Sequence, residues 1–394
     1  MELEAIQAAL REAGHDGWLF YDHHHRDPIG ESILGLDPTA HITRRWYYFV
    51  PAEGEPRKLM HRIEQARLDA LPGTKGVYSS WQELGSGLEA MLANARRIAM
   101  QYSPNNEIMY VSMVDAGTVE LLRGMGKRIV SSADLVSQFE AVLSEKQVAS
   151  HAVAQKDIDD LLAEGWKEIA RRVRPASGKK GRTYTEFEHV QWLSNAMRRM
   201  GLVWENGPNV SVNANSSDSH YEPTIDNTAT IKDGDFVLID IWGRTNETDS
   251  VYYDITWTGV VGREPTEREQ LVFETVRNAR DAAIATVETA FAQGRAIRGY
   301  EADDAARKVI RAAGFAEFFT HRTGHNIAHA IHGPGANLDD FETHDERRIL
   351  ANTCFSVEPG IYLPEFGVRS EIDMMTSAEK AWVTGAMQRE LVRI

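Results

Sequence analysis

Through the first third of the chain apolar residues come in short runs. Beyond that they recur at helical spacing, and this change of texture organises the molecule before any residue has a role. The opening MELEAIQAALREAG sets acids around an apolar stripe and predicts an amphipathic first helix. It has no basic or apolar leader and does not read as a secretion signal. GWLFYD, RRWYYFV and RRIAMQY predict strands, while Val114 to Met125 and Ser132 to Leu143 predict helices. Residues 1–143 are therefore expected to form one α/β domain, and no GxGxxG or Walker-type glycine loop lies between its strands and helices.

From Ser144 the stretch SEKQVASHAVAQKDIDDLLAEGWKEIARRV predicts a long amphipathic helix that opens a second domain, residues 144–394. PASGKKGR breaks the pattern, and the next helix starts at Thr185 and Glu188 in capping-box register and runs to MRRMGL. GYEADDAARKVIRAAGF has the same plan: an acidic first turn, basic residues late, and Gly314 where the earlier segment has Gly201. Each is followed by a polar, extended stretch. Two related helix-plus-strand halves are expected.

Composition narrows the function classes. The 394 residues carry a net charge of −15, which disfavours nucleic-acid and anionic-membrane partners. No apolar run is long enough to span a bilayer, so the expected location is the cytoplasm. The single cysteine, Cys354, excludes an intrachain disulfide framework and a multi-cysteine zinc site, so any metal must be held by His and carboxylates.

Three groupings place such side chains on strand-like segments. FVLIDIW and VYYDITW predict paired strands in which Leu238, Asp240 and Trp242 share one face and Tyr252, Asp254 and Thr256 share another, so the two aspartates can address a common centre. The bland alternative is that one of them faces solvent. FFTHRTGHNIAHAIHGPG concentrates His321, His325, His329 and His332. Asn326 occupies the place where a zincin helix needs Glu, and the flanking glycines predict a short extended segment. CFSVEPGIYLPEFGVRSEIDMM carries Glu358, held extended by Pro359, and Glu371 on a second strand; taken alone, Glu358 would pair with Arg369. By contrast, the His23–His25 triplet diverges on either helix or strand and reads as solvated or structural. Two Asp, one His and two Glu make a hard, oxygen-rich site suited to a pair of divalent ions.

In order and context these motifs, IDIWG, YYDIT, HRTGHNIAHAIH, SVEPGIY and GVRSEID, resemble the pita-bread metallopeptidases, the family of Xaa-Pro aminopeptidase, prolidase, creatinase and methionine aminopeptidase. The resemblance runs from about Ser144 to the end, and the preceding α/β domain resembles that of the creatinase and prolidase branch. It implies a pita-bread fold with pseudo-two-fold halves and two divalent ions, Mn²⁺ first among Mn²⁺, Co²⁺, Zn²⁺ and Fe²⁺. It implies Asp240, Asp254, His325, Glu358 and Glu371 as the metal ligands, with Asp254 and Glu371 bridging. His220, His332 and Glu358 become the catalytic groups, and His321, Arg369 and Tyr221 belong to the substrate side or outer shell. The implied activity is hydrolysis of an Xaa-Pro bond in a small peptide with proline second, by a homodimer. The alternatives are a C–N or C–S cleaving enzyme on the same fold and a non-catalytic peptide-binding relative.

Several positions depart from the family pattern. The Asp240-to-Asp254 spacing is longer than usual, with GRTNETDS available to absorb the excess. Asn326 and Ala328 replace common glycines, His329 sits at a usually apolar place, and Gly333 replaces the acid after the second His. Some prolidases carry an Arg four residues after that His; here it is Ala336, with Arg347 and Arg348 as candidate substitutes.

Overall fold

The computed structural model describes residues 1–174 and 183–394; the predicted PASGKKGR break, at 175–182, lies outside the described residues. The chain divides into two compact units, Met1–Glu140 and Ala141–Ile394.

In the first unit, strands β1 (Gly17–Asp22), β2 (Trp46–Pro51), β3 (Arg57–His61), β4 (Thr74–Tyr78), β5 (Arg97–Met100) and β6 (Arg128–Ser131) form one sheet in the order β4-β3-β2-β1-β5-β6. Only β2 runs antiparallel to its neighbours. Helices α1 (Leu3–Glu12), α2 (Pro28–Leu34), α3 (Trp81–Met91), α4 (Ala116–Gly124) and α5 (Ala133–Val136) cover it. Alternate residues of β1 enter different cores, Trp18 and Phe20 one, Leu19 and Tyr21 the other, which is why GWLFYD is apolar throughout. The segment expected to be helical from Ser132 to Leu143 is α-helical only to Val136 and then widens into a π turn over Ser137–Ala141.

The second unit begins with α6 (Glu145–Val173) and α7 (Glu186–Met200), followed by β7 (Leu202–Val203), β8 (Asn209–Val212), β9 (Phe236–Thr245) and β10 (Tyr253–Val260). The plan then repeats with α8 (Glu267–Ala292) and α9 (Gly299–Ala312), followed by β11 (Asn326–Ile327), β12 (Cys354–Val357), β13 (Gly360–Leu363), β14 (Phe366–Arg369), β15 (Ile372–Thr376), β16 (Ala381–Thr384) and β17 (Val392–Arg393). Ser144 with Gln147, Thr185 with Glu188 and Thr266 with Glu269 make reciprocal capping boxes, so three helix starts are set by local sequence. The shorter helix of each half stops at a left-handed glycine, Gly201 at φ 78° and Gly314 at φ 83°. One sheet follows the order β17-β10-β9-β7 with β8 also on β9, another the order β11-β12-β15-β16, and β13 pairs with β14.

Two histidines in this core bear on acid stability. His151 on α6 places Nδ1 2.6 Å from the Tyr252 carbonyl and Nε2 2.9 Å from the Thr384 hydroxyl, and burial pushes its pKa down to about 4. His189 on α7 is fully buried beside the Tyr184 hydroxyl, and burial lowers its pKa to about 3. Both stay neutral when folded and take up a proton near pH 6.5 when unfolded, so their contribution is complete above that value and is lost as pH falls toward 4. For His151 alone the loss is on the order of 3 kcal/mol. Urea unfolding at stepped pH is expected to show stability declining between pH 6.5 and 4, and a His151→Gln variant should flatten that slope; an unchanged slope would contradict the assignment.

Candidate active site

Antiparallel pairing sets Asp240 opposite Thr256 and Asp254 opposite Trp242, which puts both aspartates on one face of the β9–β10 ribbon. The extra residues between them are taken up in the turn, where the Ser250 hydroxyl donates to the Thr245 carbonyl at 2.5 Å. From the other half, β11 and the residues before it bring His325 against β12. Gly324 is required here, because a Cβ would lie 1.9 Å from the Ser356 carbonyl oxygen. The His325 amide donates to Ser356 Oγ at 3.0 Å, and the Glu358 amide donates to the Thr323 carbonyl at 2.7 Å. The segment is extended, as expected, and not a zincin-like helix.

All five predicted ligand residues meet. One ligand atom each from Asp254, His325 and Glu371 lies within 4.8 Å of the other two. His325 Nε2 stands 3.7 Å from Asp254 Oδ2 and 3.5 Å from Glu358 Oε1. The Thr256 hydroxyl reaches both Asp240 Oδ1, at 2.9 Å, and Glu371 Oε2, at 2.6 Å. Arg369 pairs with Asp240 and not with Glu358, the pairing weighed from sequence, and Glu358 Oε1 stands 3.5 Å from His325 Nε2.

The electrostatics of this cluster follow from burial. Desolvation, then the charge of the neighbouring carboxylates, raises Asp254 and Glu371 well above the ordinary range, and desolvation raises Glu358 to about 7. Burial and then His332 hold His325 well below its usual value, so its imidazole is neutral. Its Nδ1 faces the Asn326 carbonyl at 3.3 Å, which assigns the proton there and leaves the Nε2 lone pair aimed at two carboxylates. At 3.5 and 3.7 Å these carboxyl oxygens are too far from Nε2 for a hydrogen bond. That spacing suits ligands sharing an ion through bonds of about 2.0–2.2 Å. Among the described residues Asp254 Oδ1 is also buried without a hydrogen-bond partner. A donor set of one imidazole and four carboxylates, with no thiolate, therefore fits divalent ions of the Mn, Fe, Co and Zn type.

Around the centre, His332 packs edge-on against His325, ring centroids 4.4 Å apart, and its pKa is lowered to about 4 by burial first and then by the neighbouring Arg322 and His220. His321 presents Nδ1 to the Arg322 carbonyl at 2.7 Å and Nε2 to the Tyr362 hydroxyl at 2.7 Å, while Arg369 Nη1 donates to that hydroxyl at 3.1 Å. The chain of donors thus runs from Arg369 through Tyr362 to His321. His220 is exposed on its loop, whereas the Tyr221 hydroxyl turns inward to Glu186 at 2.7 Å. His329 is exposed. In the first unit His25 is engaged locally, with Nδ1 2.8 Å from Glu31 and Nε2 2.7 Å from the Ala40 carbonyl; Glu31 also pairs with Arg67, a structural knot.

Sequence reasoning missed three supporting groups. Thr256 is the shared hydroxyl of Asp240 and Glu371, and Tyr362 links His321 to Arg369. Asp373 accepts the Asp254 amide at 2.9 Å. The only signal for them was adjacency to the motifs, in DIT, EPGIY and SEID. Two departures from the family pattern prove to be coupled. The Asn326 side chain accepts the Gly335 amide at 2.9 Å, and its backbone carbonyl accepts the Gly333 amide at 2.7 Å. A Cβ on residue 333 would lie 2.3 Å from Asn326 Oδ1, so Asn326 in place of glycine and Gly333 in place of an acid compensate each other. Arg347 is committed to Asp345 at 2.6 Å and to the Pro334 carbonyl at 2.6 Å, and Ala336 is buried, while Arg348 is exposed.

Residues 156–378 match the model of metallopeptidase family M24, more than half of the chain. The chain belongs to metallopeptidase family M24. Among its M24 relatives, an inferred Xaa-Pro aminopeptidase of Mycoplasma genitalium is 29% identical over 209 residues, covering 52% of this chain and 54% of that protein. The Xaa-Pro dipeptidase of Lactobacillus delbrueckii subsp. lactis is 31% identical over 163 residues, 41% of this chain and 40% of that one. The chain thus matches only about half the length of these curated relatives. In fold, it is similar to the dipeptidase PepE of Mycobacterium ulcerans, with a TM-score of 0.71 at 22% identity over 100% of this chain and 96% of the other. Among the described residues no helix is long and apolar enough to cross a membrane.

Proposed function

We propose that this M24 chain is a metal-dependent hydrolase that cleaves an Xaa-Pro bond at the N-terminus of a short peptide or in an Xaa-Pro dipeptide. It would use two divalent ions, Mn²⁺ first among them, and act as a homodimer in the cytoplasm. The observation that carries the reading is the convergence of buried ligand atoms, Asp254, His325 and Glu371 within 4.8 Å of one another and Glu358 Oε1 3.5 Å from His325 Nε2, spaced too widely for hydrogen bonds between Nε2 and the carboxyls and suited to shared ions. Family membership supports the metallopeptidase part, and the names of the relatives support the Xaa-Pro bond.

Asp240 and Asp254 would hold one ion and His325 and Glu358 the other, with Asp254 and Glu371 shared. When bound, the ions supply Lewis acidity at the carbonyl before proline and bring the pKa of a water toward neutrality. The chain's own groups do the rest. Arg369, Tyr362, His321 and Thr256 fix the orientation of Asp240 and Glu371. His332 offers an N–H to the oxygen that gains charge. Glu358, at the rim of the cluster with its side chain 15% exposed, carries a proton on its carboxylate from the attacking water to the leaving nitrogen. His220 binds substrate. An amide nitrogen that belongs to proline has no N–H, so recognition rests on pocket shape and carbonyl contacts.

A panel of Xaa-Pro dipeptides and Xaa-Pro-Yaa tripeptides with Mn²⁺-loaded protein tests this reading. Cleavage of at least one class is expected. Arg347 is held by Asp345 and the Pro334 carbonyl, which leaves the exposed Arg348 as the candidate anchor for a dipeptide carboxylate, and the tripeptides test whether that end of the substrate must stay open. No cleavage in either class, with turnover of creatine-like or sulfonium compounds, would replace the peptidase reading with a C–N or C–S cleaving one.

A further inference from the structure

The carboxylate of Glu186 gathers donors from several points along the loop that carries His220. Glu186 is the first residue of α7 and is fully buried. Its Oε1 accepts the Val212 amide at 2.7 Å and Asn215 Nδ2 at 3.0 Å, and its Oε2 accepts the Tyr221 hydroxyl at 2.7 Å and the Ala229 amide at 2.6 Å. The donors come from the end of β8, from the turn after it, from the residue next to His220 and from the far end of the loop. Among the described residues no cation pairs with Glu186, so its charge is balanced by these donors and by the start of the helix. Other fastenings hold the loop's far end, where the Thr228 hydroxyl accepts the Phe187 amide at 3.0 Å and the Ala229 carbonyl accepts the Glu186 amide at 3.0 Å, and its first part. Ser216 Oγ accepts the Gly367 amide at 2.8 Å, Ser217 donates to the Leu363 carbonyl, and Asp218 accepts the His220 amide at 3.0 Å. His220 itself is exposed, so its imidazole depends on its neighbours for position.

We propose that Glu186 is a positioning residue that sets the place of His220 through the Tyr221 hydroxyl and the two ends of the loop. A carboxylate can accept from four donors at once. A glutamine cannot, because its amide NH₂ would face donors in place of one oxygen. Burial and the Glu186 carboxylate also raise the Tyr221 phenol well above its ordinary range, which keeps the phenol a donor. The consequence for turnover rests on the Xaa-Pro reading, whereas the consequence for the geometry of His220 does not.

The experiment uses the full chain, loaded with diamagnetic Zn²⁺ for NMR and with Mn²⁺ for kinetics, as wild type, Glu186→Gln and Tyr221→Phe, the second variant removing one bond of the four. Histidine side-chain NMR, with His220 assigned by a His220→Asn variant, is read beside steady-state kinetics on the substrate the wild type cleaves. The His220 signals are expected to shift and broaden in both variants while those of His151 in α6 stay in place. KM should rise about tenfold in Glu186→Gln and severalfold in Tyr221→Phe, with a smaller change in kcat. A merely structural role would move His151 together with His220, or lower kcat in proportion to lost folded protein at constant KM, and either result would overturn the proposal. Unchanged His220 signals in both variants would overturn it as well. If the wild type cleaves no Xaa-Pro substrate while the His220 signals move as expected, the functional reading fails and the positioning role stands.

Discussion

Replacing Glu371 with alanine should empty the centre. Metal analysis of the purified variant is expected to fall from about two divalent ions per chain to fewer than one, and turnover to drop by about three orders of magnitude. Glu371 is almost completely buried, its Oε2 accepts the Thr256 hydroxyl at 2.6 Å, and one of its oxygens lies within 4.8 Å of ligand atoms of both Asp254 and His325. Its removal takes away the group that touches the aspartate side and the histidine side together. Thr256→Ser retains the hydroxyl and should retain the metal, which separates loss of a ligand from general disturbance of the sheet. Retention of both ions in Glu371→Ala would contradict the ligand assignment.

A second large effect should appear as opposite signs in one variant. Asp254→Asn is expected to abolish measurable turnover and yet to raise the melting temperature of the chelated protein by about 3 °C or more. Without cations, Asp254 sits in a buried cluster with Glu371, Asp240, Asp373 and Glu358, all of which push its carboxyl up after desolvation has done so. The asparagine amide is neutral without the proton uptake that burial forces on Asp254, and it can donate to a neighbouring carboxylate. Metal should stabilise the wild type strongly and the variant little, because an ion that binds only the folded state adds stability by mass action. Differential scanning fluorimetry with and without chelator checks all four combinations. A chelated Asp254→Asn that melts below the chelated wild type would show that carboxylate repulsion is not what the site stores.

The ligand residues could be read from sequence because each lies in or next to a short apolar strand, where a charge stands out: Asp240 and Asp254 are inside β9 and β10, while His325, Glu358 and, against the strand expected for it, Glu371 sit one residue outside β11, β12 and β15. The strand alternation that put Asp240 and Asp254 on one face is the alternation observed. Strand β3 escaped notice for the converse reason. Its Lys58 looks like a surface residue, but the side chain is buried and Nζ donates to the Leu68 and Leu71 carbonyls at 3.0 and 2.5 Å. The helix expected through Leu143 stops early because periodicity does not distinguish an α turn from a π turn. Thr256, Tyr362 and Asp373 were invisible as site residues because their contacts cross between strands far apart in the chain, and such pairings are a property of register. The coupling of Asn326 with Gly333 is of the same kind: two separate oddities in the string become one steric fact in space.

The central claim is that divalent ions at Asp240, Asp254, His325, Glu358 and Glu371 make this M24 chain a hydrolase of Xaa-Pro bonds. The most direct measurement is the rate of release of the first residue from an Xaa-Pro-Yaa tripeptide, by one preparation of the full chain as purified, after chelation, and after Mn²⁺ is restored. The account predicts cleavage that disappears on chelation and returns with Mn²⁺. Cleavage that persists undiminished in the fully chelated protein would contradict it.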